Sequence, residues 1–339
     1  MKTHAKAIDS SIFDMINSII NNEYDALKNI TTKQVNTFIK QIESTPFLLA
    51  CAQSSALVVQ LFLTKKADVN YKAPDGYTPL MTACIRGDAE IVKLLIKHKA
   101  NVNYKASNGD APLTIACEKG HIDIVKLLIE NKANVNYKAS NGHTPLMIAC
   151  EKGHIDIVKL LIENKANVNY KASNGHTPLM IACEKGHIDI VKLLIENKAN
   201  VNYKASNGHT PLMIACEKGH IDIVELLIEN KANVNCVKIN GYTPLLIACE
   251  QDNQAIVKLL IENKADVNYK EQDDYTPLMI ACEKGHIDIV ELLIENKANV
   301  NCVKINGYTP LLIACEQDNQ AIVKLLIENN ADVNYQGPN

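Results

Sequence analysis

Residues 137–169 read YKASNGHTPLMIACEKGHIDIVKLLIENKANVN, and residues 170–202 repeat them letter for letter. Residues 203–235 differ only at Glu225. A fixed period of this kind outranks other structural priors, because each copy must fold as one unit that its neighbours cover. Proline marks the period: Pro46, Pro79, Pro112, Pro145, Pro178, Pro211, Pro244, Pro277 and Pro310 stand 33 residues apart. A longer duplication matches 213–269 to 279–335 with a single change, Lys264 to Asn330. The divergent stretch Glu250-Gln251-Asp252-Asn253-Gln254 favours natural duplication over deliberate construction.

One unit can be read residue by residue. Asn141-Gly142 is a turn signal, since both residues tolerate positive φ. Thr144 suits a helix N-cap and Pro145 the first helical position, where a missing N–H costs nothing. Leu146, Ile148, Ala149 and Cys150 supply the buried side of a short helix that Gly153 ends. A second helix over 155–163 carries Ile155, Ile157, Val158, Leu160, Leu161 and Ile162. That is too many apolar residues for one stripe, so adjacent copies must cover more than one side. Ala166-Asn167-Val168-Asn169 then leads back, extended, to the next turn.

Gly142-His143-Thr144-Pro145-Leu146-Met147-Ile148-Ala149-Cys150, followed by Gly153-His154 and Ala166-Asn167-Val168-Asn169, resembles the ankyrin repeat. The resemblance covers residues 43–335 in nine units. It implies an all-α solenoid of stacked turn–helix–helix–hairpin-loop units, about 90 Å long at roughly 8–10 Å per layer.

Three departures from the family pattern stand out. The usual His after Thr-Pro-Leu is Met at Met81, Met147, Met180, Met213 and Met279, Thr at Thr114, and Leu at Leu246 and Leu312. This removes the family's Thr–His hydrogen bond and leaves the Thr hydroxyl to cap backbone N–H groups. The Gly after the second helix is Lys at Lys132, Lys165, Lys198, Lys231, Lys264 and Lys297. A left-handed backbone there costs up to about 1 kcal/mol per copy relative to Gly. The Asp that opens the turn is Ala at Ala106, Ala139, Ala172 and Ala205.

The ends differ in kind. Asp9-Ser10-Ser11 is a cap signal, followed by Ile12, Phe13, Ile16, Ile19, Ile20, Tyr24 and Leu27 at helical spacings. Residues 1–42 therefore read as an N-terminal helical cap or a divergent half-repeat, 43–335 as the repeats, and 336–339 as a tail. Asp318–Asn334 repeats an internal unit without the polar outer face that terminal repeats need. The expectation is either a fragment of a longer protein or a last face covered by another molecule, with a monomer or weak end-to-end association through that uncapped repeat.

Composition narrows the function. With a net charge of −3 the chain lacks the basic footprint of a nucleic-acid binder. No stretch approaches eighteen uncharged apolar residues, so no membrane span is expected. The N-terminus has no apolar signal-peptide core. Nine of the 11 cysteines occupy one position of the first helix, Cys51 through Cys315, at the 33-residue period. One layer of separation exceeds the roughly 7 Å Cα limit for a disulfide. They read as small buried hydrophobes, and Cys236 and Cys302, two units apart, are also too distant to bridge. So many free thiols place the chain in a reducing compartment, the cytosol or the nucleus.

Cys150 and His154, with the equivalent pairs, have a spacing that superficially resembles metal-ligand spacing. Each layer offers two ligands where a structural zinc needs four, so no metal and no cofactor is expected. There is no phosphate-cradling loop, no H-E-x-x-H and no G-x-S-x-G. Identical residues in successive layers cannot supply the distinct roles of a catalytic centre, so the chain reads as a non-enzyme without a small-molecule substrate.

What remains is surface. In binders of the family, targets lie across the turn tips and the first helix, on the concave side. Carried over by position, the tips are Tyr77, Asp110, His143, His176, His209, Tyr242, Tyr275 and Tyr308, with Arg86 at the end of a first helix. Where units vary, at Tyr77, Arg86, Tyr242, Tyr275 and Tyr308, selection for contact is the better reading. The Glu-Lys pairs at the ends of the first helices read as a solvated face whose charges pair along the stack. A second tyrosine row, including Tyr104, Tyr137 and Tyr203, reads as interlayer stacking, with a peptide-binding strip as the alternative. The expected function is a non-catalytic scaffold for a protein partner. The alternatives are a targeting or autoregulatory segment of a larger protein, and a spacer.

Overall fold

The computed structural model describes residues 10–39 and 43–336. The cap signal at Asp9, residues 40–42 and the tail beyond residue 336 lie outside the described residues. Among the described residues there are 21 α-helices and no strand, with one isolated bridge between Ile39 and Ser44. The chain divides into two compact units, residues 1–167 and 168–339. Within each unit, consecutive helix pairs stack on one another, giving the all-α repeat architecture expected.

In the first unit, helices Ser10–Ile20, Tyr24–Leu27 and Thr32–Asn36 precede the pairs. The apolar spacing that runs through Leu27 is interrupted at Asn22, which takes φ 59 and starts a new helix at Tyr24. Asparagine enters the left-handed region at low cost, so this is where the chain turns. Ile19 and Val35 are 0% exposed, and the Ser10–Ile20 helix packs on Pro46–Gln53. Phe13 and Tyr24, expected on the apolar face, are exposed. Four pairs follow, each of the form Pro79–Arg86 with Ala89–Lys97. The second unit holds five, from Pro178–Lys185 with Ile188–Glu196 to Pro310–Glu316 with Gln320–Glu328.

The local reasons are those of the sequence. Thr144 accepts a hydrogen bond from the Met147 N–H at 3.4 Å, Pro145 takes the first position, and the helix ends at Gly153 with φ 76. Replacing such a cap by Ala typically costs about 1 kcal/mol. One repeat solves the capping differently. Its cap position is Ala111, and the Thr114 hydroxyl instead accepts from the Ala111 N–H at 2.8 Å and donates to the Ala111 carbonyl at 2.7 Å.

Each layer buries both helices. Leu212, Met213, Ala215, Cys216, Ile223, Val224 and Leu227 are at most 1% exposed. Met147 is fully buried at the position where the family has His, while Ile148, expected on the buried side, is half-buried. The lysines after the second helix are left-handed, with φ 70 at Lys132 and 67 at Lys231. An asparagine of the preceding layer holds each strained turn. Asn103 donates from Nδ2 to the Lys132 carbonyl at 3.0 Å, and its Oδ1 accepts from the Asn134 N–H at 2.8 Å. Asn202 does the same for Lys231 and Asn233 at 3.0 and 2.8 Å. The Val-Asn step, expected to lead back extended, is instead a turn, in which the Tyr137 N–H donates to the Asn134 carbonyl at 3.0 Å, and its asparagines form a ladder between layers.

Cys51, Cys84, Cys117, Cys150, Cys183, Cys216, Cys249 and Cys282 are 0% exposed, and burial pushes their thiols far above the usual range. Cys236 and Cys302 are buried too. Cys315 departs from the expectation and is exposed, as is Leu312 at 36%. Their equivalents Cys249 and Leu246 are 0% exposed, because the pair Pro277–Lys284 and Ile287–Glu295 packs on that layer. Buried, protonated thiols are poor nucleophiles. In native buffer a maleimide should therefore modify one thiol, Cys315, rapidly, with the remaining ten of the 11 reacting only after denaturant is added. Native uptake of several equivalents, read by intact mass, would contradict the packing.

Candidate interaction surface

The turn tips are rigid because each is tied twice. The Ala139 N–H donates to the His143 carbonyl at 2.9 Å, and the His143 N–H donates to Asn141 Oδ1 at 2.9 Å. The same pair of bonds holds His176, His209, Tyr242 and Tyr308, in each case with the Asn two residues earlier. Tyr275 is held by Glu271 instead, whose Oε1 accepts from the Tyr275 N–H at 3.3 Å. All eight tip residues are half-buried, so each shows one side to solvent and rests the other on its layer.

In the first unit Tyr77, Asp110 and Arg86 are engaged with each other or with the framework. The Tyr77 hydroxyl donates to Asp110 Oδ2 at 2.6 Å, and Asn108 Nδ2 donates to the same hydroxyl at 3.1 Å. Burial, followed by the bond to Asp110, raises the Tyr77 hydroxyl above its ordinary range. Arg86 donates from Nη1 to the Ser54 carbonyl and lies 3.7 Å from Asp88. Its guanidinium joins two layers.

In the second unit the tips alternate with cations that the sequence reading overlooked. Lys238 Nζ lies 3.4 Å from His209 Nε2 and 5.0 Å from the centre of the Tyr242 ring. Burial, with the Lys238 ammonium second, lowers the His209 pKa. Lys304 Nζ sits 4.5 Å from the Tyr275 ring centre and 5.2 Å from that of Tyr308. Cation–π contacts of this kind are worth about 0.5–1 kcal/mol where exposed. Between Tyr242 and Tyr275 lies a hollow of 290 Å³ whose walls also include Glu250, Glu271, Asp273 and Glu283. Burial first, and then Glu250, Glu271 and Glu283, raise the Tyr242 hydroxyl above its usual range. The signal was present in the sequence: the loops at 236–242, 269–275 and 302–308 are where the Ala-Ser-Asn-Gly pattern breaks.

The Glu-Lys pairs are arranged differently from expectation. Lys119, Lys185 and Lys218 pair with the adjacent Glu118, Glu184 and Glu217 at 3.5–3.7 Å, within one helix end. Lys284 reaches the preceding layer, 3.8 Å from Glu250. Half-exposed pairs of this kind contribute about 0–1 kcal/mol. Members of the second tyrosine row face the layer before them. The Tyr137 hydroxyl donates to the Gly109 carbonyl at 2.9 Å, and Lys72 and Lys171 lie 4.7 and 4.5 Å over the rings of Tyr104 and Tyr203. The helix-start histidines are also interlayer groups. The His154 ring lies 2.7 Å from where a Cβ on Gly120 would be, with Nε2 3.4 Å from the Glu118 carbonyl. Among the described residues no three His, Cys, Asp or Glu side chains cluster as metal ligands would, and no helix is long and apolar enough to cross a membrane.

A family model described as ankyrin repeats (3 copies) matches residues 47–139, 132–205, 202–271 and 265–337. No curated protein sequence matches the chain.

Proposed function

The chain belongs to the ankyrin-repeat family, whose members are generally protein–protein interaction modules, and from that premise we propose a non-catalytic scaffold that binds its protein partner on the turn tips. The observation that carries the reading is the contrast between framework and tips in the second unit. Core, caps and asparagine ladder repeat almost unchanged, whereas the tips pass from His176 and His209 to Tyr242, Tyr275 and Tyr308. The first set of residues is what buries and ties the layers, and the second is what varies from layer to layer. Half-buried tyrosines on doubly tied turns present aromatic area with little ordering cost on binding, which is how a shallow surface gains affinity.

The testing experiment is capture from lysate, comparing the chain with a variant carrying Tyr242→Ala, Tyr275→Ala and Tyr308→Ala, verified as folded. The expected result is a protein retained by the first and missing from the second. Equal retention by both would refute the turn-tip surface, and retention by neither would favour the spacer reading.

A further inference from the structure

Three successive spaces between tip side chains in the second unit are built from equivalent positions. Lys238, Glu271 and Lys304 each stand four residues before their own tip, at Tyr242, Tyr275 and Tyr308. Lys238 occupies the space between His209 and Tyr242, and Lys304 occupies that between Tyr275 and Tyr308. The space between Tyr242 and Tyr275 has the same two-sided aromatic form, but its equivalent residue is an anion. Glu271 Oε1 turns back to accept from the N–H groups of Asp273 and Tyr275 at 3.0 and 3.3 Å, so its side chain stays with its own loop.

The result is an open hollow of 290 Å³ walled by both tyrosines and by Glu250, Asp273 and Glu283 as well as Glu271. Lys284 is the one cation among its lining residues, and it is 3.8 Å from Glu250. The Tyr275 hydroxyl donates to Glu283 Oε2, which fixes that ring. Neighbouring backbone ties the three loops together: Gln272 Nε2 donates to the Ile239 carbonyl at 3.0 Å, and the Ile305 N–H donates to the Asp273 carbonyl at 3.3 Å. Ile239 and Ile305, on the loops either side, are 68% and 70% exposed.

Resting on the turn-tip reading, we propose that the Tyr242–Tyr275 hollow seats a basic side chain, arginine before lysine, from a partner segment with apolar residues flanking it. The molecule itself shows that this kind of space accepts a cation, since its own lysines fill the two on either side. Guanidinium is favoured because it is planar and weakly hydrated, stacks on aromatic faces and matches carboxylates bidentately. The flanking apolar residues would meet Ile239 and Ile305.

The test uses the full chain and a short fluorescent peptide with a central arginine between leucines, alongside the same peptide with citrulline, its neutral isostere. Anisotropy titrations should show the arginine peptide binding about tenfold more tightly. Asp273→Asn with Glu283→Gln should remove that preference. Asp156→Asn with Glu163→Gln, the same charge change in the first unit, should leave it intact. A second variant exchanges residues 271–274 for the Lys-Ile-Asn-Gly found at 304–307, a loop this fold already carries twice, and should also abolish the preference by seating the chain's own lysine. Equal binding of the arginine and citrulline peptides overturns the inference, as does an equal loss in the first-unit control or a preference that survives the loop exchange. If arginine is not preferred while lysate capture still depends on the three tyrosines, the basic-segment inference falls and the turn-tip surface stands.

Discussion

Leu227→Ala is expected to lower stability by about 2–5 kcal/mol, the range for emptying a fully buried leucine site. Leu227 is 0% exposed on helix Ile221–Glu229, which packs on its own partner Pro211–Lys218 and on the second helices of both neighbouring layers, Ile188–Glu196 and Gln254–Glu262. The truncation loses transfer free energy and leaves a cavity between layers whose backbones are tied by the asparagine ladder and cannot collapse freely. Ile239→Ala is the matched control, an exposed apolar residue in the same unit expected to change stability by no more than about 0.5 kcal/mol. Urea titration followed by circular dichroism measures both. A Leu227→Ala cost below about 1 kcal/mol would mean that the interlayer core is looser than its burial indicates.

Gly208→Ala should cost about 2–4 kcal/mol, the sum of a backbone and a contact penalty. Gly208 has φ 83, and a Cβ there would lie 2.8 Å from the Ile239 nitrogen and 2.9 Å from the Lys238 Cα. Those are backbone atoms of the next layer, which cannot rotate aside. Gly241 occupies the same turn position with φ 85, yet its Cβ would come no closer than 3.1 Å, to the Gln272 nitrogen. Gly241→Ala should therefore cost about 1–2 kcal/mol, mostly from φ. One layer further on, Asp274 holds that turn position at φ 59 without glycine. The comparison of the two variants decides the matter: equal melting temperatures would show that only the positive φ is felt and that the layers yield to the added methyl.

Much of this was legible from one unit of sequence. Thr144-Pro145 announces a capped helix start, Gly153 its end, and the crowd of apolar residues from Ile155 to Ile162 announces cover on several sides. These signals act within a few residues, through φ preference, cap hydrogen bonds and helical period, so spacing alone reveals them. The left-handed lysines were readable as a cost but not as a solution. What holds them, an asparagine such as Asn103 bonded to the Lys132 carbonyl, joins residues 29 apart. Likewise, Thr114 taking over the cap at Ala111 follows from hydroxyl geometry rather than from any motif.

The candidate surface divides in the same way. The resemblance to the ankyrin repeat supplied the tip positions, and Tyr242, Tyr275 and Tyr308 stood out because they break a repeating pattern. Only the tertiary structure decided what those side chains face. It committed Tyr77 to Asp110 and Arg86 to the Ser54 carbonyl, and it set Lys304 between two tyrosine rings while Glu271 leaves the preceding pair open. The reason is physical: the period determines which residues share a layer position, but whether neighbours on successive layers meet, and with which charge between them, depends on side-chain reach across the stack.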